Sequence, residues 1–163
     1  MEAALEADPS AKVVGYEANG GFLLGFEAAG PAGTLAPLMT RDSLLPIVAP
    51  LARARSEGRS LSDLVATMPP RFTAADRLQG VEPEVARTFI AGLEADASKR
   101  AGFFGDTLTE TGTDTTDGLR VTFAEGTVVH LRPSGNAPEF RCYVEADSPE
   151  TADRLVSLHL EKL

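Results

Sequence analysis

The sequence predicts an α+β protein: a C-terminal domain of antiparallel sheet with flanking helices, preceded by a partial α/β domain. Three observations carry this fold class. Apolar and polar residues alternate with period two over residues 119–123, 127–131 and 140–146, as they do in half-buried strands. Apolar residues recur at helical spacing on either side of these strands, over 82–97 and after Ser148. The Pro-rich break MPPRF, Met68–Phe72, separates this block from a first part made of short, Gly-punctuated elements. The expected organisation is 1–67, a polar connector over 68–80, and 81–163.

The elements follow in order. Glu2–Ala7 reads as the end of a helix stopped near Pro9, an unusual way for a domain to start, so the chain is expected to be a fragment of a longer one. KVVG, Lys12–Gly15, is a short strand, GYEANGG a Gly-rich connection, and Phe22–Phe26 a second strand. Leu35–Thr40 is extended or loop. Asp42 caps a helix with Leu44, Ile47, Val48 and Leu51 at helical spacing, which Pro50 is expected to kink or shorten. Ser60–Ala66 is a brief capped helix. Beyond the connector, Glu82–Ala97 is an amphipathic helix with Val85, Phe89 and Leu93 on one face, and the Thr- and Asp-rich Asp106–Gly118 is a loop or weak strand. Ala124-Glu125-Gly126 suits a hairpin between the first two C-terminal strands. Ser148 caps the last helix with Pro149 at its first position, and Ala152, Leu155, Val156 and His159 form its stripe.

Composition bounds the function. With 163 residues, 43% hydrophobic and 24% charged, the chain is long enough to bury a core and reads as soluble and globular. A net charge of −9 opposes binding to nucleic acid or to an anionic membrane. No run approaches a membrane span, and the N-terminus lacks the features of a signal peptide. The single cysteine, Cys142, fits a reducing cytoplasm and sits in an apolar alternation, as a buried structural thiol would.

Two constellations stand out against this acidic background. In HLRPSGNAPEFRCY, His130–Tyr143, strand alternation turns Leu131, Phe140 and Cys142 inward and His130, Arg132 and Arg141 outward. If the strands pair across the loop, both guanidiniums reach one anion above the turn, with Ser134 Oγ, the Gly135 N–H and the Asn136 amide completing a cradle suited to a phosphate dianion. The same residues also make an ordinary Ser-Gly-Asn hairpin turn. In GYEANGG, Gly15–Gly21, Glu17 and Asn19 can accept from and donate to sugar hydroxyls, and glycines such as Gly20 let a ligand approach the backbone. A Gly-rich turn with a solvated Glu17 is the alternative. His130 and His159 lack metal-ligand spacing, and no nucleophile with a paired base appears.

The two loops, in this order, resemble the C-terminal half of the α-D-phosphohexomutases, the family of phosphomannomutase and phosphoglucomutase. RPSGNAPEFR is similar to that family's phosphate-binding loop R-x-S-G-T-x-P and the basic strand after it, with Asn136 in place of Thr. GYEANGG looks like a variant of its sugar-binding loop G-E-x-S-G-H, keeping Glu17, with Asn19 for Ser and Gly21 for His. The resemblance implies phosphate binding by Arg132, Ser134, Gly135, Asn136 and Arg141, and sugar binding by Glu17, Asn19 and Gly20. It implies reversible 1,6-phosphoryl transfer on a hexose phosphate, mannose or glucose 1- or 6-phosphate, through a bisphosphorylated intermediate. The phosphoserine loop T-A-S-H-N-P and the Mg2+ loop D-G-D-x-D-R, both of the family's N-terminal half, are absent from this sequence. The fragment is therefore expected to be inactive without the N-terminal domains that carry the serine and the Mg2+ site. A free-standing sugar-phosphate binding or regulatory module is the alternative.

Overall fold

The computed structural model describes residues 1–163 except 18, 19, 106, 107 and 136. The chain divides into two compact units, Met1–Pro69 and Pro70–Leu163.

The first unit opens with α1 (Glu2–Ala7). A three-stranded antiparallel sheet follows, in the order β1 (Val14–Tyr16), β2 (Phe22–Leu24), β5 (Leu38–Asp42). Between β2 and β5, β3 (Ala28–Gly30) and β4 (Gly33–Leu35) form a separate hairpin, where sequence patterning indicated only an extended segment from Leu35. The Asp42 carboxylate accepts from the Leu44 and Leu45 N–H groups at 2.8 and 3.1 Å, starting α2 (Leu45–Ser56). Pro50 does not shorten this helix. The N–H it lacks would have served only the Pro46 carbonyl near the helix start, and the helix runs on to Ser56. Ser60 and Asp63 close a reciprocal capping box on α3 (Leu61–Val65). The α2 stripe Leu44, Ile47, Val48 and Leu51 remains between 48% and 69% exposed.

The second unit is a five-stranded antiparallel sheet with helices over one face. Its strands run β6 (Phe72–Gln79), β10 (Glu139–Ala146), β9 (Val128–Pro133), β8 (Leu119–Phe123), β7 (Glu110–Asp114) across the sheet. The chain leaves the β6 edge through α4 (Pro83–Ala95) and α5 (Ala97–Phe104), enters at the far edge, and meanders back until β10 pairs with β6. After β10, α6 (Pro149–Glu161) packs back onto β6 and β10. Val121, Val129, Leu131, Phe140, Cys142 and Val144 form the inner face, met by Ile90 and Leu93 of α4, Phe104 of α5, and Leu155 and Val156 of α6.

Three expectations are corrected here and a fourth, left open between loop and strand, is resolved. The polar connector over 68–80 contains strand β6, whose FTAADRLQ has only Ala74 and Leu78 partly buried, with Asp76 interrupting the alternation. An edge strand with one partner buries too little to write a clean pattern. On α4 the buried face is Ala86, Ile90 and Leu93, while Val85 is 62% exposed. The helical run also breaks at Asp96, whose carboxylate caps a separate α5 by accepting from the Ser98 and Lys99 N–H groups. The Thr- and Asp-rich segment resolves into β7, an exposed edge strand.

Arg100 joins three elements. Its Nε and Nη2 donate to both oxygens of Glu110 at 2.9 and 2.8 Å, and Nη1 donates to the Leu93 and Glu94 carbonyls at the end of α4. The fork holds the Glu110 carboxyl below its ordinary range, chiefly through these hydrogen bonds. Arg100→Ala is expected to cost about 2–3 kcal/mol at neutral pH, as charge-assisted bonds do. Because the Glu110 pKa is depressed, this difference should shrink as pH falls through the carboxylate range. Urea unfolding of both proteins at several pH values measures it.

His159 lies fully buried against Phe103 and Phe104, with Nδ1 donating to the Leu155 carbonyl at 2.7 Å. Burial pushes its pKa below the ordinary 6.5. The unfolded chain therefore takes up this proton first, and stability should fall as pH drops below about 6.5. His159→Leu is expected to flatten that part of the stability–pH curve in the same unfolding measurement.

Candidate functional site

The outer face of the second sheet is where the predicted phosphate residues meet. In the β9–β10 ladder Arg132 stands directly opposite Arg141, and His130 opposite Tyr143. Opposite residues of an antiparallel pair share a face, so both guanidiniums leave the side away from the core. The loop between the strands is closed by the Ser134 N–H donating to Glu139 O at 2.9 Å and the Glu139 N–H donating to Ala137 O at 2.8 Å. Its far end is tied down by Pro138, whose carbonyl accepts from the Gly80 and Val81 N–H groups at 2.8 and 3.2 Å. Ser134 is buried in the turn and Gly135 is exposed at its tip. Asn136, the third predicted donor of the loop, lies outside the described residues.

Each arginine is oriented by a carboxylate. Arg132 Nε lies 3.0 Å from Asp117 Oδ1. Arg141 donates to Glu139 Oε2 through Nη2 at 3.1 Å and Nε at 3.3 Å, and bonds to Glu139 and Tyr143 raise its already high pKa. Asp117 reaches Arg132 because the β7–β8 turn folds tightly over β9. Gly118 there has φ +78°, and a Cβ on it would lie 2.3 Å from the Leu131 carbonyl oxygen, so only glycine fits. His130 donates through Nε2 to the Asp117 carbonyl and leans on the Tyr143 ring at 5.7 Å, which makes it a fastener for the same turn.

Two charged neighbours of these arginines escaped the sequence reading. Arg77 sits opposite Arg141 on the other flank of β10, and its Nε lies 3.4 Å from Glu139 Oε1. It was hidden because FTAADRLQ read as a connector; strand spacing of Ala75 and Arg77 against Ala74 and Leu78 was the available signal. Glu139 was passed over as a loop residue. Cys142, by contrast, is fully buried, and desolvation pushes its thiol up to about 12, so it is a packing residue.

The sugar-loop residues belong to the first unit. The β1–β2 connection is closed by the Glu17 N–H donating to Gly21 O at 2.9 Å and the Gly20 N–H donating to Glu17 O at 3.0 Å, with Gly20 at φ +87°. The Glu17 carboxylate meets Arg41 of β5 at both oxygens, each at 3.1 Å. Asn19 lies outside the described residues. Among the described residues no group of three His, Cys, Asp or Glu side chains is placed to hold a metal ion, and no helix is long and apolar enough to cross a membrane.

Residues 73–158 match the family model of the phosphoglucomutase/phosphomannomutase C-terminal domain. The chain belongs to that family. The match covers the five-stranded sheet, its helices and the arginine-bearing loop, and accounts for their α+β architecture. A phosphomannomutase of Sinorhizobium fredii is 40% identical over 152 residues, covering 93% of this chain and 32% of the relative. A phosphomannomutase of Salmonella muenchen is 41% identical over 154 residues, covering 93% of this chain and 31% of the relative. The chain thus spans about a third of the length of these curated relatives.

Gly118→Ala is expected to destabilise the second unit by on the order of 2–3 kcal/mol, because it combines a positive φ with a backbone clash. Amide exchange should rise first in the β8–β9 hairpin. Unchanged stability and exchange would show that the turn relaxes without cost.

Proposed function

We propose that this chain is the C-terminal part of a phosphohexomutase acting on a hexose phosphate, with mannose phosphate the leading candidate. The observation that carries this reading is the Arg132–Arg141 pair, held opposite each other beside a closed loop in an acidic protein of this family. The names of the two relatives support the choice of mannose.

In this reading the β9–β10 loop grips the phosphate that is not reacting. Arg132 and Arg141 supply forked donors, and Ser134, Gly135 and Asn136 bound the anion from the loop side. Glu17, Asn19 and Gly20 hold sugar hydroxyls in either of the two orientations a bisphosphorylated intermediate must adopt. Binding energy from the distal phosphate positions the reacting end. The transfer itself belongs, in this reading, to a serine loop and a Mg2+ loop that the family resemblance assigns to N-terminal domains of the whole enzyme. In this reading the isolated chain is inactive, and the whole enzyme works in the cytoplasm.

The test is titration of the chain with mannose 1-phosphate, glucose 1-phosphate and inorganic phosphate, following backbone amides from 132 to 141. Shifts in this segment at millimolar ligand, lost in Arg132→Ala, are expected. An unperturbed segment with all three ligands would remove the phosphate-site assignment, and mutase turnover by the chain alone would remove the division of labour.

A further inference from the structure

The pairing registers place three arginines in one row. Arg77 of β6, Arg141 of β10 and Arg132 of β9 are consecutive cross-strand neighbours on the open face. Like charges directly opposite one another destabilise a sheet, so a row of three on adjacent strands works against the fold unless something negative sits over it. The described carboxylates paired with the row are two. Asp117 serves Arg132, and Glu139 is shared by Arg77 and Arg141. Counted over these ion pairs alone, three guanidiniums face two carboxylates, and each guanidinium has five N–H donors, more than these contacts use. Beside Arg77 and Arg141 the face opens into a hollow of about 380 Å³, also lined by Ala75, Asp76 and Tyr143.

Glu139 differs from a surface counter-ion. Its side chain is only 12% exposed, and its backbone is bonded at both N–H and C=O within the loop. The carboxylate is thus built into the loop, between the two guanidiniums, with one oxygen toward Arg77 and the other toward Arg141.

We infer that Arg77 is a third guanidinium of the anion site, binding the same phosphate group as Arg132 and Arg141, and that Glu139 is the positioning residue that aims Arg77 and Arg141 at it. The inference rests on the phosphate-loop reading and adds a residue from a different strand to it. An anion over the row offsets the repulsion among all three cations, which a two-arginine site leaves in place at β6. Glu139 stays beneath the anion as a brace, in the way a partner orients a metal-binding histidine.

Calorimetric titration of inorganic phosphate into the chain and four variants tests this. Arg77→Ala should weaken binding about tenfold, or about 1.4 kcal/mol. Arg120→Ala removes a cation from the same face, one row away and opposite His130, and should leave affinity within about twofold. Glu139→Gln separates aiming from charge. Removing a negative charge should tighten phosphate binding if Glu139 only neutralises, whereas loss of the brace should weaken it severalfold, as we expect. Tighter binding in Glu139→Gln overturns the positioning role. Unchanged binding in Arg77→Ala while Arg132→Ala loses binding removes Arg77 and leaves the phosphate loop standing. Unchanged binding in Arg132→Ala as well would mean that the loop is no phosphate site at all.

Discussion

The antiparallel pairing of β9 with β10 is the constraint on which the site depends. One ladder assigns Leu131, Val129, Phe140, Cys142 and Val144 to the core and Arg132, Arg141, His130 and Tyr143 to the open face. A slip of one residue would bury two arginines and expose the apolar set. Burying each large apolar side chain contributes about 1.5–3 kcal/mol. Cross-strand repulsion between arginines costs at most about 1 kcal/mol per pair. The core therefore sets the register, and the arginines are carried into place by the buried residues between them.

The repulsion is also managed locally. Asp117 and Glu139 come to the arginines from two different turns, one shaped by Gly118 and the other closed by Ser134 and anchored through Pro138. Both turns are small, bonded through backbone groups, and attached to the buried strands. A guanidinium held by such a carboxylate keeps fewer rotamers open, so it would lose less conformational entropy on binding an anion. The same chemistry reads differently in the first unit. There Glu17 is paired with Arg41 beside a short glycine turn, and the apolar stripe of α2 stays exposed.

Legibility followed burial. Strands with one face in the core wrote their period into the sequence, and 119–123, 127–131 and 140–146 matched β8, β9 and β10 to within two residues at their ends. The last helix was equally clear, because Ser148, Pro149 and the stripe through His159 all report one buried face. Edge elements were not legible. β6 and β7 each have one strand partner and few buried side chains, so FTAADRLQ read as a connector and ETGTD as loop or weak strand. The break between α4 and α5 was missed because Asp96 is as good a surface residue in a continuous helix as it is a cap.

The sequence by itself determined the α+β class, the core faces of the central strands, and the outward direction of Arg132 and Arg141. Each of these follows from local periodicity, where the alternation of one strand suffices. Only the tertiary structure decided which outward residues become neighbours. Arg77 lies 64 positions before Arg141 by their numbers in the chain, and Asp117 reaches Arg132 across a separate turn. No local pattern encodes such pairings, because they arise when the chain meanders back and β10 closes between β9 and β6. That closure turns two arginines on a loop into a row of three with a carboxylate set between them.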